Sequence, residues 1–177
     1  MNEDPQLTDM VVHFIKKGKG RIGNKKATPL PEILINGLSV QPEHAVLENS
    51  NNDTITIGPC PEAKVLINGE PLTGKVTLHH NDRVLIGSSN LYIFHHPKEL
   101  AGMQKAGKKP QTITYDFAQG EIATSSGFDM STEGKSKEDI LLQEDLIALM
   151  PMVYEANAIS EELNKKVKYI LYLYTLQ

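Results

Sequence analysis

The sequence predicts a mainly β domain followed by C-terminal helices, and three observations support this fold class. Residues 10–95 contain short segments rich in β-branched and aromatic residues, separated by turn signals such as Asn36-Gly37 and Gly58-Pro59. No helical pattern interrupts them, and turns recur about every ten residues, which favours two packed sheets, a β-sandwich. From residue 136 onwards, apolar residues instead recur at spacings of four and three, as on one face of a helix.

The β-rich part is assigned to residues 10–97, after an acidic N-terminus, 1–9, that is predicted to be disordered. Its predicted strands are 10–15, 32–35, 44–48, 53–57, 64–67, 75–78, 83–87 and 91–94. The TITI segment alternates apolar and polar residues, as expected for a strand with one solvated face. Residues 98–112, which are rich in lysine and glycine, are predicted to form a linker.

Two helical segments are predicted after this linker. Residues 113–130 suit a short helix, because several of their apolar side chains share one helical face. A longer helix is predicted over 136–166, where Ser136 and Asp139 have the spacing of an N-terminal capping arrangement. Residues 167–177, rich in leucine and tyrosine, are strand-like and lack an evident partner in the sequence.

The longer helix carries a heptad seam, which indicates a contact with another protein or with a second copy. The seam consists of Leu142, Leu146, Leu149, Val153, Ala156 and Leu163. The alternative is that the helix packs on its own domain through a wider stripe that adds Ile147, Met150 and Ile159. Pro151 removes a helical hydrogen bond, so this helix is expected to bend or to divide in two.

Composition narrows the class of partner. The 177-residue chain has a formal net charge of −4, so it has no general attraction for nucleic acid or anionic lipid. No run of about 18 apolar residues is present, and no membrane span is predicted. The single cysteine, Cys60, excludes an internal disulfide and favours a reducing, cytoplasmic location.

No catalytic, metal-binding or cofactor-binding constellation is predicted. The stretch GEPLTGKV at 69–76 resembles a nucleotide-binding P-loop, but Val76 stands where a magnesium-binding hydroxyl is needed, and a strand follows instead of a helix. The pairs His79-His80 and His95-His96 lack cysteine or carboxylate neighbours at zinc-ligand spacing. The chain is therefore predicted not to be an enzyme and to need no cofactor.

Several of these motifs together resemble a forkhead-associated (FHA) domain over about residues 10–96. The resemblance is carried by the Gly23 turn, by His44 at the entrance to a strand, by Asn68-Gly69, and by Asp82-Arg83 before an apolar strand. It implies an eleven-stranded β-sandwich whose loops at one end bind phosphothreonine peptides.

The stretches YDFAQGEIA and LMPMVYEANAISEELNKKVKY resemble the segment that follows the FHA domain in kinesin-3 motors. This resemblance implies a role in dimerisation, autoinhibition or cargo attachment, at a cytoplasmic, microtubule-associated location that includes the cilium. The motor domain itself has no counterpart among these residues, so ATP hydrolysis is expected only of a longer parent protein.

The residues that read phosphate in FHA domains are largely replaced here. By resemblance, Asn24 stands where an arginine is usual, Gln41 and Pro42 where a serine and an arginine are usual, and Ala63 where an asparagine is usual. A phosphate dianion needs charge-assisted donors to offset its desolvation, and these side chains supply few of them. His44 is expected to brace a loop.

Two alternative functions follow from what remains of this pocket. A phosphopeptide- or acidic-peptide-binding adaptor would use Asn24, Lys25, Lys26, Gln41, His44, Ala63 and Asn68. A microtubule- or axoneme-associated structural protein would use the basic loop, in which six cations occur within residues 16–26. The alternative to both functions is that the basic loop is a solvated surface that binds no partner.

Overall fold

The computed structural model describes residues 11–109, 111–127 and 134–170. The described strands are β1 (Gly18–Gly23), β2 (Ile33–Leu34), β3 (Ala45–Ser50), β4 (Thr54–Pro59), β5 (Val65–Ile67), β6 (Glu70–Pro71), β7 (Val76–Leu78), β8 (Arg83–Ile86) and β9 (Asn90–Ile93). The helices are α1 (Pro97–Lys105), α2 (Tyr115–Ser125) and α3 (Lys137–Glu162). The predicted class, a β-sandwich followed by helices, is confirmed.

The strands form two sheets. The first has the order β2-β1-β3-β4-β7 and the second the order β6-β5-β8-β9. Only β1 and β2 pair in parallel among the described strands, and the remaining described pairs are antiparallel. The β3–β4 hairpin turns through Asn51 and Asn52, both with positive φ, a conformation that asparagine tolerates better than most residues.

The core lies between the two sheets because each strand directs alternate side chains inward. Ile55 and Ile57 of β4 share one cluster of buried residues with Leu78 of the neighbouring β7 and with Ile86 of β8 in the other sheet. Ile57 and Ile86 are each only 1% exposed. This alternation is the pattern that TITI predicted.

Helices α2 and α3 form a second layer over the four-stranded sheet. Leu66 and Leu85, on the outer face of β5 and β8, pack against Ala118 and Ile122 of α2. Helix α2 approaches Gly69 so closely that an added Cβ would lie 2.7 Å from backbone atoms of Glu121. Strands β5 and β8 are therefore covered on both faces, which explains their continuous apolar sequences.

A partly buried ion pair fixes α2 to the sheet. The Arg83 guanidinium donates through Nε to Glu121 Oε2 over 2.8 Å, and a second bond joins its Nη2 to Glu121 Oε1. The Arg83 side chain is 15% exposed and that of Glu121 is 22% exposed. A two-pronged contact of this kind sets both the position and the orientation of the helix.

Helix α1 corrects the prediction of a linker over 98–112. It begins at Pro97, a favourable first helical residue, and its N-cap is the side chain of His96. No residue of α1 is buried, so the apolar periodicity that would have revealed it is absent. The other two helices begin close to the predicted positions, and the Ser136–Asp139 capping box is present as predicted.

Other differences concern the strands. Residues 11–15, predicted as a strand, form no strand in the structure, although the Ile15 carbonyl accepts a hydrogen bond from Asn49 Nδ2 over 3.0 Å. Strand β1 and the short strand β6 were not among the predicted strands. The described residues contain nine strands where the resemblance implies eleven. Residues 167–170 have no regular structure, while the predicted disordered segment 1–9 and residues 171–177 lie outside the described residues.

Candidate functional site

His44 lies at the centre of the loops at one end of the sandwich. It is 0% exposed, and both ring nitrogens are engaged. Nδ1 accepts a hydrogen bond from the Gln41 N–H over 3.0 Å, and Nε2 bonds to the Lys64 carbonyl over 2.8 Å. Because a carbonyl only accepts, the proton lies on Nε2. Burial lowers the pKa of His44, and the Lys64 carbonyl partly opposes this change. The ring is therefore a neutral brace between two loops.

Asn24 joins the remaining loop to this assembly. Its Nδ2 donates to the Val40 carbonyl over 2.5 Å, and its Oδ1 accepts from the Lys26 N–H over 2.8 Å. Its backbone N–H donates to the Gln41 carbonyl over 3.1 Å. Both the NH2 group and the oxygen of the Asn24 amide are therefore hydrogen-bonded within the protein. The side chain thus holds the loop that follows β1 against the loop that contains Val40.

Four of the predicted peptide-binding residues meet at this end, namely Asn24, Gln41, His44 and Ala63, with exposed Lys25 and Lys26 beside them. Asn68 does not join them. It follows β5, whereas the Lys64 carbonyl that His44 contacts precedes β5. Asn68 Nδ2 donates to Asp82 Oδ1 over 2.9 Å, and Asn68 Oδ1 accepts from the Arg83 N–H over 3.0 Å. Its role there is to hold the β5–β6 turn.

The basic residues of 16–26 do not form one surface. Lys16 and Lys17 precede β1, whereas Lys25 and Lys26 follow it, and a six-residue strand is roughly 20 Å long. Arg21, which lies between them, pairs with Glu32 and Glu43 at 3.4 and 3.5 Å. Only Lys25 and Lys26 therefore remain for a ligand at the loop end.

Lys64 is a further basic residue at this end, and the sequence did not single it out. Its side chain is exposed, and Nζ lies 4.9 Å from the centre of the Tyr154 ring of α3. The Tyr154 hydroxyl lies 2.8 Å from that of Ser126. Helix α3 therefore reaches the loop end of the sandwich. No local pattern in the sequence indicates this contact, because it joins residues far apart in the chain.

Helix α3 has two apolar faces. The inward face packs against Ala123 of α2 through Leu146 and Met150, which are 3% and 6% exposed. The outward face leaves apolar side chains in solvent: Leu141, Leu142, Leu149, Met152, Ile159 and Leu163 are between 38% and 62% exposed. With half-buried Ala156 between Met152 and Ile159, the spacings from Leu149 to Leu163 alternate between three and four, so these side chains lie along one stripe.

This arrangement corrects one member of the predicted seam and leaves the others available. Leu146 belongs to the inward face, as the alternative of packing on the domain expected. Leu142, Leu149 and Leu163 are exposed, and Val153 and Ala156 are half-buried. Met150 is buried as that alternative expected, whereas Ile159 is 43% exposed. We define the outward stripe as Leu141, Leu142, Leu149, Met152, Ala156, Ile159 and Leu163.

Pro151 does not divide this helix, which is continuous from Lys137 to Glu162. Proline has no N–H, so the carbonyl of Ile147 loses its usual helical donor. The helix packs on the domain both before and after Pro151, through Met150 and Tyr154, and it is continuous across the proline. The sequence alone left open whether the helix bends or divides, and the structure decides against division.

Comparison with known proteins agrees with this geometry. The FHA domain family matches residues 20–87, which span β1 to the end of β8. Residues 20–87 are an FHA domain. Kinesin-like protein KIF28 of Mus musculus is 33% identical over 174 residues, which is 93% of this chain and 16% of that protein. Kinesin-like protein KIF14 of Mus musculus is 28% identical over 144 residues, which is 78% of this chain and 8% of that protein. The resemblance to the FHA region of kinesin motors is thereby confirmed.

The chain spans about a sixth of KIF28, and the motor domain lies outside the matched region. Among solved structures, the FHA domain of CT664 protein from Chlamydia trachomatis matches with a TM-score of 0.39 and 20% identity, over 45% of this chain and 78% of that one. A structure from a study of phosphothreonine-dependent FHA domain interactions matches with a TM-score of 0.41 and 15% identity, over 47% and 82%.

Within 11–109, 111–127 and 134–170, no group of three or more His, Cys, Asp or Glu side chains has the geometry to hold a metal ion. No helix in that part of the chain is long and apolar enough to cross a membrane.

Proposed function

We propose that this chain is a non-catalytic protein-interaction module whose main contact is the outward stripe of α3. The observation that carries the proposal is that α3 is anchored to the FHA domain by one apolar face and exposes a second. A helix that carries apolar side chains well beyond the face that it buries is normally covered there as well. Fully burying a Leu or Met side chain stabilises a complex by about 1.5–3 kcal/mol, so completing the burial of several of them supplies a useful affinity.

The occupant we propose is an apolar helix, from a second copy of the chain or from a cargo adaptor. In a protein organised like its kinesin-like relatives, such a contact serves dimerisation, autoinhibition or cargo attachment at the cytoskeleton. The FHA domain then acts as the rigid support that fixes where α3 and its outward stripe point.

The test is sedimentation equilibrium of the 177-residue chain, with a double variant Leu149→Asp, Met152→Asp. A homodimer that the aspartates abolish, while the far-ultraviolet CD spectrum is unchanged, supports contact between two copies. Met103→Asp is the matched control, because Met103 is an exposed methionine on a different helix and is 37% exposed. A dimer that persists in the double variant contradicts the assignment of the outward stripe.

If the chain is a monomer at all concentrations, the partner is another protein. The test is then a titration with helical segments taken from the rest of the parent protein and from its adaptors, again comparing the double variant with Met103→Asp. Loss of binding only in the double variant supports the proposal. Equal binding by both variants contradicts it.

A second candidate function is the binding of an acidic or phosphorylated peptide at the loop end. It is favoured by the exposed Lys25, Lys26 and Lys64 around the His44 brace. Two peptides of the same sequence, one with threonine and one with phosphothreonine, should then bind the chain with different affinities. Added salt should weaken the binding of the phosphorylated peptide. A Lys25→Glu, Lys26→Glu variant should lose the binding, whereas Lys16→Glu, Lys17→Glu, at the other end of β1, should retain it. The same two variants test a microtubule contact by co-sedimentation.

A further inference from the structure

Helix α1 is held against the sandwich by polar contacts at its N-terminal end. None of its side chains is buried, so apolar packing contributes little to its position. Its described attachments to the domain are the His96 cap, the Glu99 carboxylate and an exposed ion pair between Lys98 and Asp53 at 3.0 Å. An exposed pair of this kind contributes little to stability, because solvent screens it. The contacts of His96 and Glu99 therefore decide whether α1 is docked.

His96 is both a cap and an anchor. Its ring is 3% exposed, and Nδ1 accepts a hydrogen bond from the Glu99 N–H over 3.3 Å. Nε2 lies 3.0 Å from the carbonyl of Asp53 in the β3–β4 turn, to which it must donate. The ring therefore carries its proton on Nε2 and offers the Nδ1 lone pair to the first turn of α1.

His80 holds the same segment from the β7–β8 turn. It is 8% exposed, and its Nδ1 accepts a hydrogen bond from the His96 N–H over 3.2 Å. Its own N–H donates to Glu99 Oε2 over 2.6 Å. The three residues thus form a closed set: His80 holds the backbone of His96, His96 caps Glu99, and Glu99 returns to His80.

Charged and titratable groups face this set from each neighbouring element. From α1 come Glu99 and Lys98, and from the β3–β4 turn comes Asp53. His95 lies beside His80, with the ring centres 5.5 Å apart, and His79 Nδ1 lies 3.0 Å from Glu99 Oε1. Asp82 in the β7–β8 turn accepts from the His79 N–H over 2.7 Å.

We propose that this cluster is an acid-sensitive latch, in which protonation of His80 releases α1 from the sandwich. A proton added at His80 Nδ1 turns the acceptor of the His96 N–H into a second donor, so that two donors face each other. The FHA domain stays folded, because its core contains no part of this cluster.

The pKa of His80 changes in the direction that a latch requires. Burial lowers it first, and the charges of His95 and His96 lower it further, while Glu99 opposes them. The docked arrangement points the His96 N–H at His80 Nδ1, and in it the pKa of His80 lies below the ordinary histidine value of about 6.5. Docking is therefore fully favoured above that ordinary value and weakens as pH falls below it. We call the equilibrium constant for release of α1 the opening constant. Protonation of one histidine can raise it by at most roughly 30-fold between pH 7.5 and pH 5.0.

Glu99 and His79 reduce the weakening of α1 docking at low pH but do not reverse it. Burial raises the pKa of Glu99, but hydrogen bonds from His80 and His79 outweigh it and the net change is downward. Glu99 therefore stays ionised over this range. Protonated His79 attracts Glu99, but the His79 side chain is 67% exposed, and such a pair is worth little.

The experiment is NMR-detected hydrogen exchange of the His96, Glu99 and Leu100 amides from pH 7.5 to 5.0, corrected for intrinsic exchange. We expect the opening constant to rise several-fold, up to roughly 30-fold, towards pH 5.0. The His80→Asn variant is decisive, because its Oδ1 replaces the Nδ1 acceptor and takes up no proton. Its amides should respond to pH by less than about 3-fold. His95→Asn is the matched control and should retain most of the response.

Three results would overturn the latch. The first is a wild-type opening constant that does not change with pH. The second is a His80→Asn variant that keeps the wild-type response. The third is loss of protection at Leu47 and Ile57, in the central strands, together with α1, because the acid transition would then be global unfolding.

Discussion

Replacing Leu146 by alanine measures how firmly α3 is anchored to the domain. Leu146 is 3% exposed and packs with Ala123 and Met150. Buried leucine-to-alanine changes cost about 2–5 kcal/mol, depending on how far the site collapses. Met150 and Tyr154 border this site and have flexible or large side chains, so partial collapse is expected. We therefore expect a loss of about 3 kcal/mol in the free energy of unfolding.

Leu149 supplies the internal control, because it is the same residue type on the same helix. Its side chain is 45% exposed on the outward stripe. Exposed substitutions usually change stability by less than about 0.5 kcal/mol, so Leu149→Ala should be nearly neutral in the monomer. The pair thus separates packing from helix propensity, which is common to both changes.

The assay is urea unfolding followed by far-ultraviolet CD, at protein concentrations where sedimentation shows only monomer. A fluorescence or NMR probe in β3 is followed in parallel, because α3 can detach before the sandwich unfolds. An early transition of the helical signal alone still reports the anchoring energy. Equal losses for Leu146→Ala and Leu149→Ala would refute the assignment of inward and outward faces.

Two further predictions concern single residues of the fold. His44→Ala leaves the Gln41 N–H and the Lys64 carbonyl unsatisfied in a buried site, and should cost about 3 kcal/mol in urea unfolding; a loss below about 1 kcal/mol would contradict the brace. Pro151→Ala restores a donor to the carbonyl of Ile147 and should stabilise α3 by up to about 3 kcal/mol. Thermal unfolding followed at the helical CD signal measures this gain, and a lower midpoint would show that proline is required there.

Much of the sandwich could be predicted because its signals are local. The alternation of TITI places Ile55 and Ile57 inward whatever surrounds them, and the turn residues mark where β4 and its neighbours end. The capping box at Ser136 and Asp139 is likewise formed within one helical turn. For such elements, the chemistry that decides the structure lies within a few residues of the chain.

Helix α1 and Asn68 show where local signals end. The helix buries no side chain, so no apolar period reveals it, and its cap is a histidine held by another histidine sixteen residues earlier in the chain. The Asn68-Gly69 motif indicates a turn, which is present. Which end of the sandwich that turn occupies depends on the direction of β5, and this places Asn68 away from His44.

The sequence by itself determined the class of the domain, most of its strands and the start of its long helix. Only the tertiary structure decided which apolar face of α3 packs against the domain. In the sequence, the apolar residues of both faces recur at spacings of three and four, so the spacing does not distinguish the two faces. The heptad seam combined Leu146 and Leu149, which are neighbours on the helix surface, yet Leu146 is 3% exposed in the contact with α2 and Leu149 is 45% exposed. The position of Ala123 separates them, since burial is decided by what packs opposite a side chain and not by its own hydrophobicity.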